Sequence, residues 1–264
     1  MLSLKGKVAI VTGCGTIGSG WGNGKAIAAL FARQGATVAG VDLDLEAARE
    51  TQRTIEADGG SCQVFKCDVT DATQVKSLVD ECVSRFGRID ILVNNVGRSE
   101  PGDPVSMSEE VWDDQFEVNV KSAYLTCKFV IPVMERQGGG AIVNISSIAA
   151  LRYGGKPQVA YAAAKAALIQ FTRTTAVIHA PKRIRMNCVI PGLINTPLVR
   201  RLADKYAGGD FEGFVARRNA QVPMGHMGDA WDVAHAALFL ASDEAKYITA
   251  TEILVDGGVT ATMR

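Results

Sequence analysis

A doubly wound α/β fold, one parallel sheet of seven strands with helices on both faces, is predicted by three observations. Short β-branched runs alternate with longer helical stretches along the chain, the pattern of parallel strands joined by right-handed crossovers. Several of the runs are apolar without alternation, as strands covered on both faces are. A glycine-rich turn follows the first run, where such a sheet opens into its first helix. Hydrophobic residues make up 47% of the 264 positions, an ordinary globular share. With no linker, repeat or low-complexity segment to divide it, the chain is expected to be a single domain over 1–264.

The expected strands are Lys7–Thr12, Ala36–Asp42, Cys62–Cys67, Ile89–Asn94, Ala141–Ser146, Ile184–Ile190 and Glu252–Val255. The helix after the first strand closes at Gly35. The clearest helical stretch carries Val75, Leu78, Val79, Cys82, Val83 and Phe86 on one face, with Thr70 or Asp71 as its start and Gly87 as its stop. Glu109–Arg136 and Gln158–His179 read as long helices. Residues 196–224 read as irregular, and a segment that long in a globular domain is expected to be a lid over the substrate.

Composition removes several classes of function. Acidic and basic residues number 28 each, so the formal charge is zero and no basic field exists for nucleic acid. No run of apolar residues is long enough to span a membrane, and the first residues lack the apolar core of a signal peptide. The six cysteines form no Cys-x-x-Cys pair and the three histidines are scattered, so no metal site is expected. Cysteines beside apolar runs suit a reducing compartment, and a cytoplasmic location is expected.

Six glycines from Gly13 to Gly24 separate the first strand from its helix. Backbone N–H groups at a helix start, with no Cβ atoms in the way, form an anion site suited to a dinucleotide pyrophosphate. Asp42 ends the second strand, where an acid can accept from ribose hydroxyls; a helix N-cap is its other reading, for which Asp44 competes.

Tyr161 and Lys165 stand at i and i+4 on one predicted helix face. A cation beside a phenol favours phenolate and makes a usable proton acceptor. Spacing alone does not single this pair out, since Tyr124 and Lys128 share it. Ser147 precedes Tyr161 by 14 residues, whereas the position 13 residues before Tyr124 is Val111; Tyr124 is expected to pack in a helix interface.

In order along the chain stand Thr12-Gly13, Gly22-Asn23-Gly24, Asp68-Val69, Asn94-Asn95-Val96-Gly97, Asn119, Ser147, Tyr161-x3-Lys165, Asn187, Pro191-Gly192, Thr196 and Asp256-Gly257-Gly258. Over essentially its whole length the sequence resembles the short-chain dehydrogenase/reductase family, classical type, which implies a Rossmann fold. One departure is the glycine motif. The family places three residues between its TG and GxG; here Cys14–Trp21 supplies eight, an insertion of five. Pairing through Gly18-Ser19-Gly20 instead would leave Gly22 and Gly24 inside the helix, at about 1 kcal/mol each. Which of residues 15–21 touch the phosphates stays open.

The resemblance implies the roles. Tyr161 exchanges a proton with the substrate oxygen, Ser147 donates to that oxygen, Lys165 lowers the tyrosine pKa and holds the nicotinamide ribose, and Asn119 orients a water between Lys165 and solvent. Gly13, Gly22, Asn23, Gly24, Asp42, Asp68, Val69, Asn95, Gly97, Pro191, Gly192, Ile194 and Thr196 are expected to bind the cofactor, with Thr196 alternatively capping a helix begun by Pro197. Asp42 selects NAD as that cofactor. The expected activity is an NAD-dependent oxidoreductase that interconverts a secondary alcohol and a ketone. A 3-oxoacyl-carrier-protein reductase using NADPH and a non-catalytic dinucleotide sensor are the alternatives. The family also implies a homotetramer, paired through the two long helices and, at a second interface, near Asp256–Arg264. Residues 196–224 carry a net charge of +2. These long cations read as solvated or paired with acids, an anionic substrate being the other reading.

Overall fold

A computed structural model of the chain describes residues 2–262; Met263 and Arg264, within the expected second interface, lie outside the described residues. The strands are β1 (Val8–Thr12), β2 (Thr37–Asp42), β3 (Ser61–Lys66), β4 (Ile91–Asn94), β5 (Gly140–Ile145), β6 (Ile184–Pro191), β7 (Ile194–Asn195), β8 (Gly228–Asp229) and β9 (Glu252–Val255). All but β7 and β8 join one sheet in the order β3-β2-β1-β4-β5-β6-β9, and every pairing in it is parallel. The order reverses between β1 and β4, and ligands of such sheets bind beyond the strand C-termini at that switch point. The two short strands pair with each other beside the sheet.

Helices α1 (Asn23–Arg33), α2 (Leu45–Ala57) and α9 (Ala230–Ala241) cover one face. Ile27, Phe31, Ile55, Val233 and Ala237 pack there against Val38 and Val93. Helices α3 (Ala72–Phe86), α5 (Ser122–Gln137) and α6 (Val159–His179) cover the other, with Leu78, Cys82, Val130 and Met134 against Ile10, Leu92 and Ile142. Truncating a fully buried side chain such as Phe31 to alanine would cost about 3–5 kcal/mol. Asp71, not Thr70, caps α3, its side chain accepting from the Thr73 and Gln74 N–H groups, and Gly87 ends the helix in the left-handed region.

Two regions depart from the sequence reading. Glu109–Arg136 is helical throughout, as expected, but a π-helical turn, Glu117–Lys121, interrupts the α geometry between α4 (Glu109–Phe116) and α5. The irregular segment is mostly helical, with α7 (Pro197–Ala207) and α8 (Phe211–Ala220) split by Gly208 and Gly209, both at positive φ. Its apolar stripe is short, and charged residues interrupt it. Val199, Ala203, Phe214 and Met227 nevertheless build a separate small core under the pair. Among the described residues no helix is long and apolar enough to cross a membrane.

Candidate active site and dinucleotide cleft

At the switch point β1 runs into Gly13 at φ +63. The next residues turn aside over β2 instead of entering the helix directly. Cys14 N–H donates to the Val41 carbonyl at 3.1 Å, and its own carbonyl accepts from Thr51 Oγ1 at 2.8 Å. Gly18 and Gly20 take positive φ, and α1 starts at Asn23 with Gly22 as N-cap. Gly24 then packs so tightly that a Cβ would overlap the Gly13 carbonyl. The close helix–strand approach therefore occurs at Gly24, as it does for the pairing through Gly22-Asn23-Gly24. The looped residues also reach farther than a phosphate turn needs: Ile17, 54% exposed, lines the same cleft as Tyr161.

Asp42 is held by backbone. Its Oδ2 accepts from Gly15 N–H at 2.8 Å and its Oδ1 from Asp44 N–H at 3.0 Å, while Asp44 caps α2. Each carboxylate oxygen keeps further accepting capacity. Lys25 does not approach this corner; buried on α1, it pairs with Glu50 at 2.7 Å. Asp68 Oδ1 accepts from Thr70, and Val69 is buried beside it. The Asn95 amide donates to the carbonyls of Thr12 and Gly13 at 3.2 and 3.0 Å, which ties the end of β4 to the glycine turn.

The catalytic candidates converge from three elements. Ser147 follows β5 and opens a 3-10 turn, Ile148–Ala150. Tyr161 and Lys165 line one narrow pocket from α6, and Tyr161 also lines the wide cleft. Ser146, the neighbouring hydroxyl, is buried and donates to the Lys165 carbonyl at 2.9 Å, so it braces α6 instead of facing the cleft. Ser147 pulls the Tyr161 phenol down, but burial outweighs it and Tyr161 stands above its ordinary value. The Lys165 ammonium donates to the Ile145 carbonyl at 3.0 Å, lies 5.8 Å from the Tyr161 ring centre, and is lowered by burial to about 8.

Asn119 sits in the π-helical turn and spends its amide hydrogens on the carbonyls of Arg98 and Gln115, both at 2.9 Å. Its Oδ1 is buried without a partner. A Cβ on Gly97 would lie 2.7 Å from that oxygen and 2.8 Å from Lys165 Nζ, so only glycine lets both reach the same spot. Pro191, Gly192, Ile194 and Thr196 line the narrow pocket that also holds Asn23, Asn95, Gly97, Ser147, Tyr161 and Lys165. Thr196 occupies the N-cap position before Pro197 but makes no side-chain capping bond.

Sequence reasoning missed a buried amide chain. Thr126 donates to Asn94 Oδ1 at 2.7 Å, Asn94 to Asn144 Oδ1 at 2.8 Å, and Asn144 to Thr172 Oγ1 at 2.7 Å. It bolts α5 and α6 to β4 and β5 and thereby sets the register of Tyr161. Polar residues inside two predicted apolar strands were the available signal. Tyr124 is 46% exposed and lines neither the cleft nor the narrow pocket. No cluster of His, Cys, Asp and Glu among the described residues is placed to hold a metal ion.

A dinucleotide fits these residues. The narrow pocket offers an orphaned buried acceptor at Asn23 Oδ1 and glycines where a side chain would block entry, and outside it Asp42 supplies an acid at the second strand end. Residues 18–260 match a family model described as enoyl-(acyl carrier protein) reductase. A 3-oxoacyl-(acyl-carrier-protein) reductase of Thermotoga maritima is 39% identical, covering 98% of this chain and 99% of its own length. A 2,5-dichloro-2,5-cyclohexadiene-1,4-diol dehydrogenase of Sphingobium indicum is 35% identical, with 97% and 96% covered. Among solved structures, one assigned to the short-chain dehydrogenase/reductases, from Burkholderia xenovorans, superposes with a TM-score of 0.95 at 53% identity, covering 99% of both chains.

Proposed function

The chain belongs to the short-chain dehydrogenase/reductase family of oxidoreductases, and on that premise we propose that it interconverts a secondary alcohol and a ketone with NAD as cofactor. The observation that carries the reading is Tyr161, Ser147 and Lys165 gathered in one narrow pocket, with the Lys165 ammonium buried behind the phenol, beside a cleft of about 1390 Å³. The dinucleotide, when bound, accepts or donates the hydride. In reduction the Tyr161 hydroxyl gives its proton to the substrate oxygen and is left as phenolate; in oxidation that phenolate takes the alcohol proton. Ser147 donates to the substrate oxygen as charge develops. Lys165 places a positive charge behind the phenol, and at about 8 its own pKa lies where it can exchange a proton near neutrality. Helices α7 and α8, which wall the cleft opposite Tyr161, are the lid. Exposed Tyr124, Val177 and Ile178 on α5 and α6 support a homotetramer assembled through those helices.

The choice of NAD rests on Asp42. Held by Gly15 and Asp44, its carboxylate would face the 2′-phosphate of NADP; two charges about 4 Å apart repel by ~4 kcal/mol at an effective dielectric of ~20. Solvent reduces this, so a ~10²-fold preference for NAD is expected. Asp42→Asn removes the charge and keeps one acceptor, so that of the two bonds to Gly15 N–H and Asp44 N–H one is retained and one is lost. The ratio of kcat/KM for NAD over NADP should fall toward unity in it. A wild type that uses both equally would remove Asp42 as selector. The second reading, an NADPH-dependent 3-oxoacyl-carrier-protein reductase, is favoured by the Thermotoga relative. Turnover of a 3-oxoacyl thioester with NADPH, faster than of simple ketones with NADH, would establish it instead.

A further inference from the structure

We propose that the substrate carries an anionic group, a carboxylate or a phosphate, and that Lys156 and Arg218 seat it. The inference rests on the reading of Tyr161 as the proton-exchanging group and adds what stands opposite it.

The chain is neutral overall, yet seven arginines and lysines line the cleft against three acids. Most of these cations are engaged. Arg98 is clamped by Asp114, Lys205 lies 3.6 Å from Glu100, and Arg217 lies 3.5 Å from Asp210. Arg152 donates to the Val259 carbonyl. Arg201 and Asp204, one of each sign, are exposed on α7.

Lys156 and Arg218 differ. Both are half-buried, and neither meets a carboxylate among the described residues, whereas Arg98, Lys205 and Arg217 do. Both are held by the same aromatic ring: Lys156 Nζ lies 5.4 Å and Arg218 Cζ 5.5 Å from the centre of the buried Phe214 ring, and Lys156 also lies 4.7 Å from that of Tyr206. The Arg218 Nε hydrogen goes to the sulfur of Met227, a weak acceptor. Burial lowers the pKa of both, and Arg218 lowers that of Lys156 further. Two neighbouring cations taken partly out of water without a counter-charge are costly, and the cost is relieved when an anion arrives. Arg218 lines both the wide cleft and the narrow pocket of Tyr161, Ser147 and Lys165, which places the pair within one site with the proton-exchanging group. The guanidinium fork suits either a carboxylate or a phosphate.

The experiment compares hydroxy acids of three to six carbons with their methyl esters, and sugar phosphates with the free sugars. For the better anion, kcat/KM should exceed that of its neutral partner, and Arg218→Gln or Lys156→Gln should lower that ratio about 10- to 100-fold. Arg218→Lys serves if the glutamine variant fails to fold, with a smaller fall expected for a phosphate than for a carboxylate. Calorimetry of the same anion on Tyr161→Phe supplies a readout without turnover: binding should persist there and weaken when Arg218→Gln is added. Binding without turnover in the wild type would sink the oxidoreductase reading and leave the anion seat standing. Turnover with equal kcat/KM for acid and ester would do the reverse. A loss of NADH affinity in Arg218→Gln as large as the loss of anion affinity would assign the pair to the cofactor and overturn the proposal.

Discussion

Tyr161 with Lys165 on α6 and Tyr124 with Lys128 on α5 are the same local device. Each is a phenol and an ammonium one helical turn apart, and the ammonium-to-ring distances are 5.8 and 5.9 Å. Helical geometry sets that distance in both and carries no information about chemistry. The surroundings differ. Lys165 is 3% exposed, braced by the Ile145 carbonyl, with Ser147 at the phenol and Gly97 opening the space in front. Tyr124 is 46% exposed, and Lys128 stacks equally on Phe129 at 5.5 Å. Tertiary packing, not spacing, turns one pair into a candidate acid–base and leaves the other a surface contact.

The sharpest way to break the comparison is to remove each hydroxyl. Tyr161→Phe should lower kcat by ~10²–10⁴-fold with NADH affinity nearly retained, as for a lost general acid–base. Tyr124→Phe should stay within about twofold of the wild type, as a surface substitution does. Steady-state kinetics of both variants decide it, and the reverse ranking would mean that the active helix has been misassigned.

The lysines give a second contrast, read in stability. Lys165 holds its proton more weakly folded, at about 8, than at the ordinary lysine value of 10.5. Between those values the unfolded chain binds more protons, so stability rises with pH across that window by ~3 kcal/mol from this group. In Lys165→Met that rise should vanish, and the variant should gain on the wild type below pH 8, where the buried charge is unfavourable. Lys128→Met should change stability by less than about 0.5 kcal/mol. Urea denaturation from pH 7 to 10.5 measures both; a Lys165→Met slope equal to that of the wild type would mean the lysine is not desolvated.

The sheet was legible because its strands are apolar runs bounded by turn residues, and observed ends such as Thr12, Asp42 and Asn94 coincide with the expected ones. Tyr161, Lys165 and Ser147 were legible from spacing together with resemblance. What stayed hidden depends on contacts between distant residues. The course of Cys14–Trp21 over Asp42 follows from hydrogen bonds to β2 and α2, which no local pattern announces. Helices α7 and α8 stabilise each other across Gly208-Gly209, so neither reads as a strong helix alone. The rise in the Tyr161 pKa is a burial effect that motif spacing cannot carry.

The smallest expected effect concerns Asn119, which stands five residues before Tyr124 yet serves the other pair. The π-helical turn Glu117–Lys121 places extra backbone before α5, so Asn119 faces Gly97 and Lys165 while Tyr124 faces outward. Its amide satisfies two carbonyls, and its buried Oδ1 is turned toward the space that Lys165 Nζ also reaches. Asn119→Ala should cost about 1–2 kcal/mol of stability through the two lost hydrogen bonds. It should lower kcat by ~10-fold if the oxygen orients the proton path behind Lys165. These contributions separate in a double-mutant cycle, since residues acting as one unit are not additive. With Tyr161 already replaced by phenylalanine, the proton path has nothing to serve, so adding Asn119→Ala should leave the residual kcat almost unchanged while the stability loss persists. A full ~10-fold loss in that background would show that Asn119 acts only by holding the helix.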